Sequence, residues 1–361
     1  MNIDFYISSL GMGGAERVLV TLAKEMSMRG NTVSVTNLDK LPQYFEVPES
    51  AAYFKYSNKG KGKLRETFSD FTAVRRQLKK RKDTDLCVCF LNRCNLLVPL
   101  AALGLGRRIA VCDRNNPLME HSRMVFRLSC MIYRLADAVF VQTEEIRRMY
   151  PEYLQKKMYV IENPVDAAGL EAQLTRSDYE KKNTMISVGR LVPQKDHETM
   201  FRAFAKVSDA FPEWKLELWG AGELQNSFEQ LIHELGMEDR IFLKGRTGRI
   251  YEQLKQSSIF VLSSHFEGFP NALCEAMHAG LPCIASNCVS GPAELIDDGI
   301  SGYLVPVGDV DTMAERMKSL MADASLREQM GKNASEAVKR LDSDVITEKW
   351  IKAFREVTKA S

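Results

Sequence analysis

No apolar run in this chain is long enough to span a bilayer. The longest, "LLVPLAALGLG" at 96–106, falls short of the roughly 20 residues needed and ends at Arg107-Arg108. The opening "MNIDFYISSL" has no basic residue ahead of its apolar run, so it reads as a strand rather than an export signal. The expectation is a cytoplasmic protein. No tract of low complexity is present. No CxxC pair occurs among the eight cysteines, which argues against a zinc site. Most of those cysteines lie in apolar, strand-like runs, where a reduced thiol behaves as a small hydrophobe. Neither the GxGxxG dinucleotide fingerprint nor the GxxxxGK[ST] phosphate loop appears.

What is present begins with size and charge. A chain of 361 residues exceeds one typical core, so two domains are expected. The net charge of +2 conceals an asymmetry. Residues 1–165 hold 26 Lys and Arg against 17 Asp and Glu, and the remainder holds 23 against 30. Segment 55–82 alone holds 11 basic residues against Glu66 and Asp70. A patch of that size suggests an anionic partner or surface.

Strand-like and helix-like patterns alternate along the chain. Strand candidates at 3–8, 32–38, 85–91, 108–112, 137–142 and 158–162 are separated in several places by apolar residues at helical spacing. "ENPVDAAG" (162–169) interrupts the series. A second series follows at 184–189, 215–220, 241–245, 259–264, 282–286 and 302–306. This is the pattern of an α/β protein with two doubly wound, Rossmann-like domains. The boundaries are drawn at 1–163 and 164–344, with a C-terminal helix at 345–361 packing back on the first domain. In such sheets ligands bind beyond the carboxyl ends of the strands. The motifs below lie there, which suggests a cleft lined by both domains.

"SSLGMGGAER" (8–17) follows the first strand, and Gly13 and Gly14 open a helix whose free N–H groups suit an anion; a plain tight turn is an equal reading. "SVGRLVPQKDHETM" (187–200) puts Arg190 at a strand end and Lys195 five residues on. The pair suits a diphosphate, Arg as a planar fork and Lys as a point charge, but solvated surface cations are the commoner outcome. In "EGFPNALCEAMHAGLPCIAS" (267–286), Glu267 lies in a loop and Glu275 on the helix after it, with Ala272, Leu273, Ala276 and Met277 forming its apolar face. Glu275 is then expected to point away from the core. The amides of Asn271, Ala272 and Leu273 could receive a phosphate while Glu275 meets ribose hydroxyls. Spacing alone leaves two solvated carboxylates as the rival reading.

Taken together, these residues resemble the retaining glycosyltransferase family 4, which has the GT-B fold. The Glu-x7-Glu stretch at 267–275, "GGAER" after the first strand, "VGRL…K", "ENPVD" and "SGPAELIDDGISGYLVP" (290–306) carry the resemblance over about 300 residues. The last of these and "DRNNP" (113–117) look most like enzymes that add hexoses or N-acetylhexosamines to bacterial surface glycans.

The resemblance implies a UDP-sugar donor and a saccharide acceptor, polyprenyl-linked, with GDP-mannose as the alternative donor. Glu267, Arg190 and Lys195 would be catalytic. Gly13, Gly14, Gly245, Arg246, Gly268, Phe269, Asn271, Ala272, Leu273 and Glu275 would join them around the donor. Asn92, Arg114 and Asn115 would face the acceptor. No metal and no cofactor is implied, since Arg and Lys supply the positive charge. The mechanism would be front-face displacement, the leaving phosphate taking the acceptor's proton. A nucleotide-sugar epimerase or hydrolase and a non-catalytic donor-binding protein are the rival classes. Many family members carry a histidine near the donor sugar after an N-terminal strand. Here that strand leads into Asp113-Arg114-Asn115, the nearest histidine is His121, and Arg114 is the candidate to take over sugar or phosphate contacts. Segment 55–82, with Leu64, Phe68, Phe71, Val74 and Leu78 at helical spacing, reads both as a domain helix and as a basic helix on the inner face of an anionic membrane. Nucleic acid is not expected, because no aromatic-rich binding motif accompanies the charge.

Overall fold

The computed structural model describes residues 1–11, 13–38, 43–56, 63–120, 122–176 and 179–359. The chain forms two compact units: Met1–Pro164 with Ser343–Ser361, and Val165–Asp342.

The first unit holds seven strands: β1 (Asn2–Ile7), β2 (Thr32–Asn37), β3 (Ala52–Lys55), β4 (Leu86–Phe90), β5 (Ile109–Cys112), β6 (Ala138–Val141) and β7 (Met158–Val160). Their order is β3-β2-β1-β4-β5-β6-β7, all parallel. The central strands β4, β5 and β6 are buried along their whole length, the mark of a sheet covered on both faces. The sequence pattern does not anticipate β3. It is an edge strand of four residues with only half-buried or exposed side chains, so it carries no apolar run. The C-terminal helix Ser343–Lys359 belongs to this unit: Trp350 stacks on Phe140 with ring centroids 4.6 Å apart, and Phe354 meets the same ring edge-on.

The second unit holds β8 (Thr184–Val188), β9 (Lys215–Trp219), β10 (Ile241–Gly245), β11 (Ile259–Leu262), β12 (Cys283–Ser286) and β13 (Gly302–Val305), in the order β10-β9-β8-β11-β12-β13 and again all parallel. Met200, Phe201 and Phe204 of the helix His197–Ser208 pack into its core with Trp214, Leu216 and Leu218.

Each sheet reverses its direction of winding at one place, between β1 and β4 in the first unit and between β8 and β11 in the second. Adjacent connections leave such a point on opposite faces, which opens a crevice at the carboxyl ends of the two strands. All eight cysteines are buried and free, and burial holds the thiol of each of Cys87, Cys89, Cys94, Cys112 and Cys283 far above its usual range. They are core residues, not nucleophiles.

Candidate functional site

At the β8/β11 reversal the chain brings together residues 72 positions apart. Lys195 ends a one-turn 3-10 helix (Pro193–Lys195) after β8, and Glu267 lies in the loop after β11. Lys195 Nζ reaches Glu267 Oε1 at 2.6 Å, and Ser264 Oγ donates to the same oxygen at 2.6 Å. Both donors converge on Oε1, which leaves Oε2 as the acceptor for a further hydroxyl. Glu267 is buried and the Lys195 side chain is only 15% exposed. The surrounding hydroxyls fix the backbone: Ser263 Oγ donates to the Lys195 carbonyl at 3.0 Å, and Ser286 Oγ to the Ser264 carbonyl at 2.6 Å.

Gln194 ties Arg190 into this arrangement, a role the sequence reading does not assign. Its Oε1 accepts from Arg190 at 3.2 Å, its Nε2 donates to the Phe266 carbonyl at 2.9 Å, and its own carbonyl accepts from the His265 amide. His197 is the second unassigned contributor. Its Nε2 lies 3.2 Å from the Arg190 carbonyl, which can only accept, so that nitrogen carries the proton. Burial pushes the imidazole down to about 4, so the ring is neutral at physiological pH. A lone histidine at a helix start gives no sign of this in sequence.

The loop bearing Glu267 is held from its far side by Ser290, whose Oγ donates to the Gly268 carbonyl at 2.9 Å. Gly291 follows at φ 104°, and a Cβ there would lie 2.5 Å from Pro270 Cδ, so only glycine lets this strand of backbone sit on the turn. Beyond the turn runs the helix Asn271–His278. Two expectations are corrected here. Glu275 is buried rather than solvated, on a helix that packs against the helices Ile250–Gln256 and Ala324–Val338 as well as the sheet. The solvated-carboxylate reading is thereby removed for both Glu267 and Glu275. The amides of Asn271 and Leu273 are not open to a ligand either, since they donate to the carbonyls of Phe269 and Pro270. Of the three, Ala272 lies outside these turn bonds. Phe269 is buried beneath the turn. Gly245 and Arg246 end the edge strand β10, separated from β8 by β9, and Arg246 is exposed.

In the first unit, Gly13 and Gly14 open the helix Gly14–Met28 after β1. The Glu16 carboxylate folds back over this turn. A Cβ on Gly13 would lie 2.0 Å from Glu16 Oε2, and Ser9 Oγ donates to Oε1 at 3.0 Å. Asn92 begins the helix after β4 and is half-buried, beside Leu91 at φ 67°. Among the described residues three non-glycine residues have positive φ: Leu91, Asp196 and Ser290. Each such conformation costs on the order of 1–3 kcal/mol and persists where its surroundings enforce it. All three adjoin the strand ends at the two winding reversals.

Arg114 departs from expectation. It is buried with its guanidinium turned into the unit: one nitrogen donates to the Ile161 carbonyl at 3.3 Å, another pairs with Asn163 Oδ1, and the group lies over the Trp350 ring at 5.5 Å. Burial draws it down to about 10, still charged. It fastens the end of β5 to the segment after β7 and to the C-terminal helix, and its Nε–H is buried without a hydrogen-bond partner. Asp113 turns inward too, accepting from Tyr133 and Tyr150. Asn115 is half-buried. His121 lies outside the described residues.

The basic segment is divided. Residues 57–62 lie outside the described residues, and Lys63–Lys80 forms a helix with Val74 and Leu78 buried. Several of its charges are engaged within the unit: Arg75 donates to the carbonyls of Ala101 and Leu103, and Arg81 just past the helix pairs with buried Asp4. Arg65, Arg76, Lys79 and Lys80 are exposed. No helix among the described residues is long and apolar enough to cross a membrane.

A cationic strand end faces a buried carboxylate at a winding reversal in one of two parallel α/β units, and comparison with known proteins gives the class. Residues 12–168 match the model for Glycosyltransferase Family 4, and residues 175–337 match Glycosyl transferases group 1. The chain belongs to this glycosyltransferase family and has the GT-B fold. Along its whole length, and that of the relative, it is 26% identical to a Campylobacter jejuni enzyme described as GalNAc-alpha-(1->4)-GalNAc-alpha-(1->3)-diNAcBac-PP-undecaprenol alpha-1,4-N-acetyl-D-galactosaminyltransferase. A second C. jejuni protein, N-acetylgalactosamine-N,N'-diacetylbacillosaminyl-diphospho-undecaprenol 4-alpha-N-acetylgalactosaminyltransferase, is 27% identical over 94% of this chain and 95% of its own. Among solved structures, Anabaena HepE in complex with UDP and glucose superposes with a TM-score of 0.83 at 19% identity, covering 98% of this chain and 99% of HepE. At that identity the likeness speaks for the fold.

Proposed function

We propose that the chain is a retaining glycosyltransferase that moves a hexose or N-acetylhexosamine from a UDP-sugar to a polyprenyl-linked saccharide in the synthesis of a bacterial surface glycan. The observation that carries the reading is the Lys195–Glu267 pair at the β8/β11 reversal, with Arg190 held beside it through Gln194. The undecaprenol-linked substrates in the names of both C. jejuni relatives support the acceptor class, and the UDP in the HepE complex supports the donor.

In this reading Arg190 and Lys195 hold the donor diphosphate and stabilise the charge that develops as it leaves, without calling on a metal. Glu267, with Oε1 already occupied, offers Oε2 to a hydroxyl of the donor sugar. Glu275, buried on the following helix, accepts from the ribose. Gly268, Phe269, Ala272 and the Gly245-Arg246 turn line the nucleotide. Front-face attack lets the departing phosphate oxygen take the acceptor's proton, so no separate general base is required. Asn92 and Asn115 remain the acceptor-side candidates.

A thermal-shift comparison of UDP, GDP, ADP and NAD tests the donor. A ligand at 100 times its Kd stabilises by about 2.7 kcal/mol, a rise of a few degrees for a protein of this size. A rise with UDP alone is expected. A rise with GDP alone would replace the donor by GDP-mannose, and a rise with NAD would overturn the transferase reading. The anomeric configuration of the product, read by NMR, then tests retention.

A further inference from the structure

The helix Arg123–Tyr133 has two apolar faces. One is internal: Phe126 and Tyr133 pack on Tyr150, and Cys130 and Ile132 are buried. The opposite face, which in a helix of this kind is ordinarily polar, carries Met124, Leu128 and Met131, continued by Leu135, at 79%, 46%, 58% and 43% exposure. Their spacing of four, three and four residues makes one stripe. Arg123, Arg127 and Arg134, each one position earlier than a member of the stripe, are exposed alongside it. The helix itself contains no acidic residue.

Its neighbours extend the same character. The short helix Pro117–Glu120 packs beside it and exposes Leu118 and Met119. The helix Leu91–Ala102 packs against both this helix and the basic helix Lys63–Lys80, so the three form one layer, and it ends in exposed Leu100 and Leu103.

We propose that this layer docks on an anionic lipid bilayer through the helix Arg123–Tyr133, with Met124, Leu128, Met131 and Leu135 in the headgroup–acyl boundary and Arg123, Arg127 and Arg134 on lipid phosphates. Apolar side chains bordered by arginine, on a helix with no carboxylate of its own, fit a bilayer surface better than they fit a protein partner, whose interface would need its own acidic counterpart. The basic helix Lys63–Lys80 contributes attraction, but among its described side chains Phe68 is the one large apolar residue exposed, so it lacks the inserting stripe. The inference stands apart from the donor assignment: it concerns where the first unit sits, whichever sugar is moved.

The test is co-sedimentation of the full chain with phosphatidylcholine vesicles and with vesicles of phosphatidylcholine and phosphatidylglycerol in equal parts. The wild type should bind the anionic vesicles. The triple change Met124→Glu, Leu128→Glu, Met131→Glu should lower the partition coefficient roughly tenfold or more. Arg123→Gln, Arg127→Gln and Arg134→Gln together should lower it by about a hundredfold, near fivefold for each charge, on anionic vesicles only. Lys79→Gln with Lys80→Gln should cost less than either. Because exposed positions are changed, far-UV circular dichroism should stay as in the wild type. As a check independent of folding, the indole introduced by Leu128→Trp should shift its emission to the blue on anionic vesicles. Wild-type binding by the glutamate variant, or no blue shift in the Leu128→Trp protein, overturns the proposal. So does a wild-type dimer, seen by light scattering, that the glutamate variant dissolves while vesicle binding persists.

Discussion

Of the cations just beyond strand ends in this molecule, Lys195 after β8 and Arg114 after β5 are both largely removed from solvent. Their partners set them apart. Lys195 meets a carboxylate that keeps one oxygen for another ligand, while Arg114 meets a carbonyl, an amide oxygen and an indole ring and keeps its Nε–H without a partner. Burial and charge therefore do not by themselves mark a functional residue; the groups each cation is bonded to separate the two.

The sharpest way to break this comparison is to remove each cation and ask what is lost. Lys195→Ala should cut transfer about a hundred- to a thousandfold and weaken UDP binding. Its urea midpoint should fall too, because the buried Glu267 carboxylate loses its counter-charge. Arg114→Ala should lower folding stability by roughly 3 kcal/mol through stranded acceptors and a void beneath Trp350, but with donor KM unchanged in the folded fraction. A stable Arg114→Ala protein that had lost transfer would return Arg114 to the site.

His197 sharpens the comparison by pH. Its folded pKa of about 4 lies below the unfolded value near 6.5, so between these values the unfolded chain binds the extra proton. Stability should accordingly rise with pH from about 4 to 6.5 and level off above. At pH 5 the deficit from this group should be about 2 kcal/mol. His197→Gln should remove that part of the slope, seen by urea titration at pH 5 and 7.5, and should lower turnover by disturbing the Arg190 carbonyl. A slope unchanged in the variant would remove the assignment. The smallest effect is expected at Lys79→Gln with Lys80→Gln, where stability should stay within about 0.5 kcal/mol of the wild type because both side chains are solvated.

The sheets were legible because parallel strands buried on both faces spell continuous apolar runs, as in "LCVCF" and "IFVL". Strand β3 was not, since an exposed edge strand has no reason to be apolar. Glu267, Lys195 and Arg190 could be named from their positions after strands and from the family's motif, but Gln194 and His197, which brace them, have no motif of their own. Periodicity leaves Glu275 outside the apolar face because it sees one helix at a time, whereas that helix packs against two others and Glu275 is buried. The structural bonds of Arg114 were hidden for a related reason: its partners, Asn163 and Trp350, are remote in sequence. The stripe Met124–Leu128–Met131 was present in "RMVFRLSCMIYRL", yet an apolar stripe in sequence normally signals a core face. Only the helix's second, internal apolar face reveals it as surplus.

The C-terminal helix has a consequence for how the protein is made. The second unit is continuous, from Val165 to Asp342, and the first is completed only by Ser343–Ser361. Trp350 fills the space over Phe140, so the sheet translated first must wait for residues translated after the whole second unit. Domains usually mature on the ribosome in order from the N-terminus. Here the order is inverted: the later unit can close while the earlier one still exposes Phe90 and Phe140, and emergence of the helix Ser343–Lys359 is the event that seals it.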